Sequence, residues 1–218
     1  MARERHRERR ENRRIQDGLL RVARVKGSEV RQADRPIEPL FVDRWSPRAM
    51  SGESITHEEL FTLFEAARWA PSSGNSQPWR MLYAHRDTEH WPRFFGLLAE
   101  GNKTWCVNAA VLVVFVSQML REGTDRVLPT HSYDTGSAWM SLAYQAWMSG
   151  YVAHGMAGFD YDRARTELGV PQNFQVNAMC AIGRPGPLEN LSEALRARET
   201  PSGRKKVEEF AFEGRFGT

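Results

Sequence analysis

The longest apolar run in the sequence, VNAAVLVVFVSQ at residues 107–118, limits the fold more than any other feature. It is far shorter than the roughly 18 residues that a membrane-spanning helix needs. A nearly continuous apolar run of this length is typical of a central β-strand that is covered on both faces. The chain is therefore expected to fold as an α+β protein, with a sheet flanked by helices.

Two helices are indicated beside this strand. Thr56 and Glu59 have the spacing of a capping box, and Pro71 ends the apolar helical pattern that follows. The longest helix is predicted in DTGSAWMSLAYQAWMSGY, with Asp134 as its N-cap and Gly150 as its stop.

Further elements follow from shorter patterns. The segments PWRMLYAH and VNAMCAIGRPG are predicted to be strands, and WPRFFGLLAEGN a short helix that ends at Gly101. Because strands and helices do not alternate strictly, a parallel sheet built from βαβ units is not expected.

The positive charge of the chain is concentrated in an N-terminal extension, which we assign to residues 1–35. Up to residue 31 there are 11 basic and 5 acidic residues, whereas the remainder has 19 basic and 22 acidic residues. Two interpretations stay open for the extension: a solvated, flexible or helical segment, or an arm that binds nucleic acid or an anionic membrane. Residues 36–218 are assigned to one globular domain.

The composition indicates neither a disulfide framework nor a structural zinc site. Cys106 and Cys180 are the only cysteines, and they lie far apart without a CxxC motif. We expect both to be reduced thiols in the core of a cytoplasmic protein.

The sequence has none of the common catalytic motifs: no GxSxG elbow, P-loop, HExxH motif or GxGxxG after a strand. Its histidines are scattered, without the spacing of metal ligands. If the protein is an enzyme, a cofactor is expected to supply the chemistry.

The chain contains the groups that a planar, phosphate-bearing cofactor requires. Basic side chains suited to a phosphate occur in RWSPR and again in RKK near residue 204. Polar side chains in PSSGNSQ and a small-residue stretch, GMAG at residues 155–158, are suited to the edge and the face of a ring.

The motifs RWSPRAM, APSSGNSQPWR, AMCAIGRPG and GRKKVEEF, taken in this order, resemble those of the FMN-dependent nitroreductase family. The similarity extends from about Leu40 to Phe216. It implies an α+β sandwich with a mostly antiparallel central sheet, which forms an intertwined homodimer with FMN at the interface.

The resemblance also implies cofactor-binding residues in five segments of the chain, without a catalytic side chain or a metal. They are Arg44, Trp45, Ser46 and Arg48; Pro71, Ser72, Ser73, Asn75 and Gln77, which reach the flavin of the other subunit; Asn102; Gly155, Met156 and Ala157 near flavin N5; and Arg204 and Lys206 on the phosphate. Trp105 and Ala157 depart from the family, which often has lysine and glutamate at these positions. These departures affect the expected substrate more than the cofactor.

The activity implied is ping-pong electron transfer from NADH or NADPH through FMN to a small electron-poor acceptor, such as a nitroaromatic or a quinone. Trp105, Trp139, Trp147 and Phe159 are candidates for the walls of the acceptor pocket or for the core. A family relative that acts as a dehalogenase, a flavin-cleaving enzyme or a dehydrogenase is the alternative enzyme. A polyanion-binding protein that acts through its basic extension is the alternative of another class.

Overall fold

The computed structural model describes residues 25–217. Its centre is one four-stranded sheet in the order β1-β2-β4-β3, and every neighbouring pair of strands is antiparallel. The strands are β1 (Trp79–His85), β2 (Val111–Gln118), β3 (Val152–Met156) and β4 (Phe174–Gly183). The predicted α+β class with a mostly antiparallel sheet is therefore confirmed.

Strand β2 is the apolar run from which the fold was predicted, and all eight of its residues are buried. Its side chains alternate between two hydrophobic clusters, one on each face of the sheet. Leu112, Val114 and Val116 belong to one cluster, and Val111, Val113 and Phe115 to the other. The helices cover both faces, which is why the run lacks the polar alternation of a half-exposed strand.

Seven α-helices accompany the sheet in the described part of the chain. They are α1 (Pro39–Asp43), α2 (His57–Arg68), α3 (Trp91–Gly96), α4 (Glu100–Cys106), α5 (His131–Met148), α6 (Tyr161–Glu167) and α7 (Glu193–Arg196). The capping box of α2 is formed as predicted, because Thr56 Oγ1 accepts from the Glu59 N–H and the Glu59 carboxylate accepts from the Thr56 N–H.

Helix α5 ends as predicted but begins earlier. Gly150 has a φ of 81°, and its N–H and that of Tyr151 bond to the carbonyls of Trp147 and Ala146, which closes the helix with a Schellman motif. At the other end the helix starts at His131, so Asp134 is inside its first turn and is not the N-cap.

Two other predictions were wrong in detail. Residues 91–106 form two helices, α3 and α4, and Gly101 lies inside the second. The backbone between them is bonded to residues 158–160 instead, through Ala99 N–H to Gly158 O at 3.0 Å and Asp160 N–H to Leu97 O at 2.9 Å. Strand β3, which pairs with β4, was not predicted.

The prediction for the basic extension falls mainly on residues 1–24, which lie outside the described residues, and the division at residue 35 stays a prediction. Residues 25–31 are described, and they contact the body of the protein. Within residues 25–217, no helix is both long enough and apolar enough to cross a membrane. In the same range, Cys106 and Cys180 are buried and unpaired.

Candidate functional site

Residues 44–48 form an extended connection between α1 and the core, and we refer to them as the first segment. The indole of Trp45 is buried and donates to the carbonyl of Val25 at 2.8 Å. Arg44 Nη1 donates to Ser46 Oγ at 3.2 Å. The Trp45 anchor thus holds the backbone so that Arg44 and Ser46 lie side by side.

Arg44 lies within electrostatic range of another cation, Arg204. Burial and the positive charge of Arg204 lower its pKa, while Tyr144 on α5 acts in the opposite direction. Its Nε atom is buried and has no hydrogen-bond partner among the described residues. A half-buried guanidinium with a buried, unbonded Nε and a like charge nearby is unfavourable unless an anion binds there.

Arg31 is a third cation in this region and was not predicted. Burial and then the charges of Arg204 and Arg44 lower its pKa. We refer to Arg31, Arg44 and Arg204 as the arginine cluster. The side chain of Arg204 is exposed, and its bonds among the described residues are to neighbouring residues in the chain, for example to Ser202 Oγ at 3.1 Å.

Arg48 has an internal partner. Its guanidinium lies 3.5 Å from the carboxylate of Glu199, which is only 6% exposed. The same carboxylate accepts from the backbone N–H groups of Arg48 and Ala49, the latter at 2.8 Å. Glu199, which gave no signal in the sequence, therefore fixes the end of the first segment.

His154 on β3 contacts the backbone of the first segment. Its Nδ1 lies 3.1 Å from the Pro47 carbonyl, which can only accept, so the imidazole is the tautomer that carries hydrogen on Nδ1. Its ring lies 4.7 Å from that of Trp105. Burial is the main cause that lowers the pKa of His154 to about 4, and the charge of Arg48 contributes, so the imidazole is neutral at pH 7.

Residues 71–77, which we refer to as the serine-rich loop, lie near the start of α5. The Ser73 N–H donates to Asp134 Oδ2 at 3.1 Å, and the Gln77 N–H donates to Ser72 Oγ at 3.0 Å. Asn75 and Gln77 have φ angles of 52° and 45°, which are uncommon for residues other than glycine. Asp134, misassigned as an N-cap, in fact holds this loop.

The serine-rich loop and the arginine cluster lie at different levels of α5. The loop bonds to Asp134, whereas Arg44 is near Tyr144, ten positions further along the helix. Ten helical residues span about 15 Å. In one copy of the chain, these two predicted parts of the site therefore lie at separate levels along α5.

A cavity of about 340 Å³ lies between α5, β3 and β4. Its mostly apolar lining includes three of the predicted cofactor-binding residues, Gly155, Met156 and Ala157. The other lining residues are Phe115, Ser132, Thr135, Gly136, Trp139, Asn177, Ala178 and Met179. Asn102 lies next to the same loop, because its Nδ2 donates to Gly158 O at 2.9 Å. The structure thus brings Asn102 close to residues 155–157.

The candidate aromatic walls divide into two groups. Trp139 lines the cavity, whereas Trp105, Trp147 and Phe159 are buried in the core. Trp105, at the position where the family often has lysine, is only 1% exposed. Its indole packs under His154 and is not part of the cavity wall.

The polar end of the cavity is a hydrogen-bonded network that the sequence did not indicate. Asn177 Nδ2 donates to Ser117 Oγ at 2.7 Å, and Ser132 Oγ donates to Asn177 Oδ1 at 2.8 Å. His131 Nδ1 lies 2.7 Å from Ser117 Oγ. Within residues 25–217, no group of three or more histidine, cysteine or acidic side chains could hold a metal ion.

Comparison with known proteins gives consistent results. The model of the nitroreductase family matches residues 42–105. A solved structure described as an oxidoreductase containing FMN is 47% identical, with 85% of this chain and 96% of that chain covered and a TM-score of 0.82. A nitroreductase family protein from Streptococcus pneumoniae TIGR4 has a TM-score of 0.63 at 16% identity, with 78% of this chain and 96% of that chain covered, which supports the fold alone.

A curated protein from Streptomyces coelicolor is also similar. It carries the provisional name NADH dehydrogenase/NAD(P)H nitroreductase and is 34% identical over 91 residues, which are 41% of this chain and 45% of that protein.

Proposed function

The chain belongs to the nitroreductase family, and we propose that it is an FMN-dependent oxidoreductase that passes electrons from NADH or NADPH to a small electron-poor acceptor. The observation that carries this proposal is the arginine cluster, in which the Nε of Arg44 is buried with no hydrogen-bond partner among the described residues and lies near like charges. The similarity to an FMN-containing oxidoreductase supports the same cofactor.

The described residues fit the phosphate of FMN. A phosphate dianion would neutralise the repulsion between Arg44 and Arg204 and accept hydrogen bonds from guanidinium N–H groups. Ser46 Oγ, next to Arg44 Nη1, is a further polar group at this position. Lys206, whose side chain is exposed, remains a proposed contributor.

The ring of FMN is proposed to lie near Asn102 and residues 155–157. The Asn102 amide retains an oxygen acceptor and one N–H for a polar ring edge after its bond to Gly158 O. Gly155 and Ala157 are exposed and small, so the backbone can approach a flat ring.

A second copy of the chain is proposed to complete the site. The resemblance implies that the serine-rich loop reaches the flavin of the other subunit, and within one chain this loop lies about 15 Å along α5 from the level of the arginine cluster. In an intertwined homodimer, the loop with Pro71, Ser72, Ser73, Asn75 and Gln77 would border the flavin of the partner.

FMN, when bound, supplies the two-electron chemistry between a nicotinamide and an acceptor. The chain's own residues bind the cofactor, orient its edge and exclude water through the apolar lining around Trp139. The largely apolar cavity favours a flat, uncharged acceptor such as a quinone or a nitroaromatic. If donor and acceptor use the same face in turn, ping-pong kinetics are expected.

The test is to purify the full chain, record its flavin absorbance, and follow the oxidation of NADH and NADPH with a nitroaromatic and with a quinone. We expect rates well above those of the same concentration of free FMN. In Arg44→Met, FMN affinity should fall by at least about tenfold, because a charge-assisted hydrogen bond is lost. A colourless protein that binds no added FMN, or rates equal to those of free FMN, would refute the proposal.

A further inference from the structure

We propose that Arg31, from the segment before the family-like region, is a third cation of the phosphate site and also holds the other two arginines in place. This inference rests on the proposed function. It goes beyond it because Arg31 lies outside the residues that the resemblance and the family model cover.

The segment that carries Arg31 is docked at fixed points on the body. Gly27 is buried, and a Cβ atom added there would lie 1.9 Å from the carbonyl oxygen of Val42. Next to it, the N–H of Ser28 donates to Asp43 Oδ1 at 3.2 Å, and the hydroxyl of Ser28 donates to the same oxygen. The backbone that carries Arg31 is therefore held in place against the body of the protein.

The guanidinium of Arg31 joins the two parts of the chain that supply the other cations. Its Nε donates to the carbonyl of Ser202 at 2.7 Å, two residues before Arg204. Its Nη1 donates to the carbonyls of Val42 and Arg44 at 3.1 and 3.2 Å. Nη2 has no partner among the described residues, so two N–H donors remain for a ligand.

The positive charge around Arg31 indicates that the ligand at this position is an anion. Within residues 25–217, every ion pair with a carboxylate involves a cation other than the three members of the arginine cluster. The like charges of Arg204 and Arg44 lower the pKa of Arg31 further than burial alone. Three arginines that influence one another electrostatically, none with an ion pair among the described residues, favour a phosphate dianion over a neutral ligand.

The test compares FMN with riboflavin, which has the same ring but no phosphate. Flavin-free full-length protein is titrated with each flavin, and the dissociation constants are measured by the quenching of flavin fluorescence. In Arg31→Met, the dissociation constant of FMN should rise about 10- to 100-fold, whereas that of riboflavin should change by less than about threefold. Arg31→Lys, which keeps the charge but not the donor pattern, should lie between wild type and Arg31→Met.

Two further variants separate charge from docking. Arg126→Met removes an exposed arginine in the turn after β2 and should leave both constants unchanged. Gly27→Ala keeps the guanidinium but disrupts its docking, so it should weaken FMN binding in the same direction as Arg31→Met. Circular dichroism and unfolding of each variant show whether the fold is retained.

The possible failures can be distinguished. If Arg31→Met weakens both flavins equally or neither of them, Arg31 is not part of the phosphate site and the inference is wrong, although the proposed function stands. If the wild type binds FMN no better than riboflavin, the phosphate site itself is refuted. If the wild type binds neither flavin, the proposed function fails.

Discussion

The neutral state of His154 leads to a sharp prediction about acid stability. This imidazole donates from Nδ1 to the Pro47 carbonyl and packs on Trp105, while Arg48 and Arg44 lie within electrostatic range. Protonation would place a third positive charge in a largely buried position near these two cations. Acid should therefore destabilise the folded protein through this residue.

The magnitude follows from the pKa, which burial and the nearby arginines lower from 6.5 to about 4 in the folded chain. Because the unfolded chain binds the proton more readily, the stabilisation is present above about pH 6.5 and is lost as the pH falls toward 4. Linkage with these values gives a loss of about 2 kcal/mol in the free energy of unfolding between pH 7 and pH 5.

The assay is urea unfolding of the flavin-free protein at pH 7 and pH 5, for wild type and His154→Gln. Glutamine does not titrate, and its amide can donate to the Pro47 carbonyl. Other groups titrate in both proteins, so the difference between the two pH-dependent losses isolates His154. Wild type should lose about 2 kcal/mol more than His154→Gln between the two pH values.

An equal loss in both proteins, with equal denaturant slopes, would refute the reasoning. It would mean that His154 accepts a proton in the folded state as easily as in the unfolded chain. A larger loss in His154→Gln would contradict it as well, because the variant has no imidazole at this position.

Two other substitutions test how the site is positioned. Asp134→Ala removes the acceptor that holds the serine-rich loop, so it should cost about 2 kcal/mol in the free energy of unfolding and also weaken FMN binding. Unchanged values of both would contradict the role of Asp134. Gly186→Ala should cost about 2 kcal/mol or more, because the new Cβ would lie 2.3 Å from the carbonyl carbon of Met50. Gly101→Ala, where a Cβ meets nothing within 4 Å, is its control, and similar urea midpoints for the two variants would contradict the packing argument.

The site could be predicted only as separate pieces. The residue patterns indicated the first segment, the serine-rich loop and residues 155–157, and the family resemblance added Asn102. The assignment of these residues to FMN stays a prediction. Glu199 and Arg31 were missed, because a single charged residue in a polar stretch carries no local pattern. Asp134 was noticed for a local role, and its bond to Ser73 depends on a partner 61 positions away.

The sequence by itself determined the elements whose signals are local: the buried strand β2, the capping box of α2 and the glycine stop of α5. Tertiary structure alone decided β3, because five residues that include Gly155 have no strand pattern of their own and depend on hydrogen bonds to β4. It also decided which charges meet, as in the bond from Arg31 to Ser202 across 171 positions. Local patterns reflect backbone preference and burial within a few residues, whereas such contacts form only after the chain has packed.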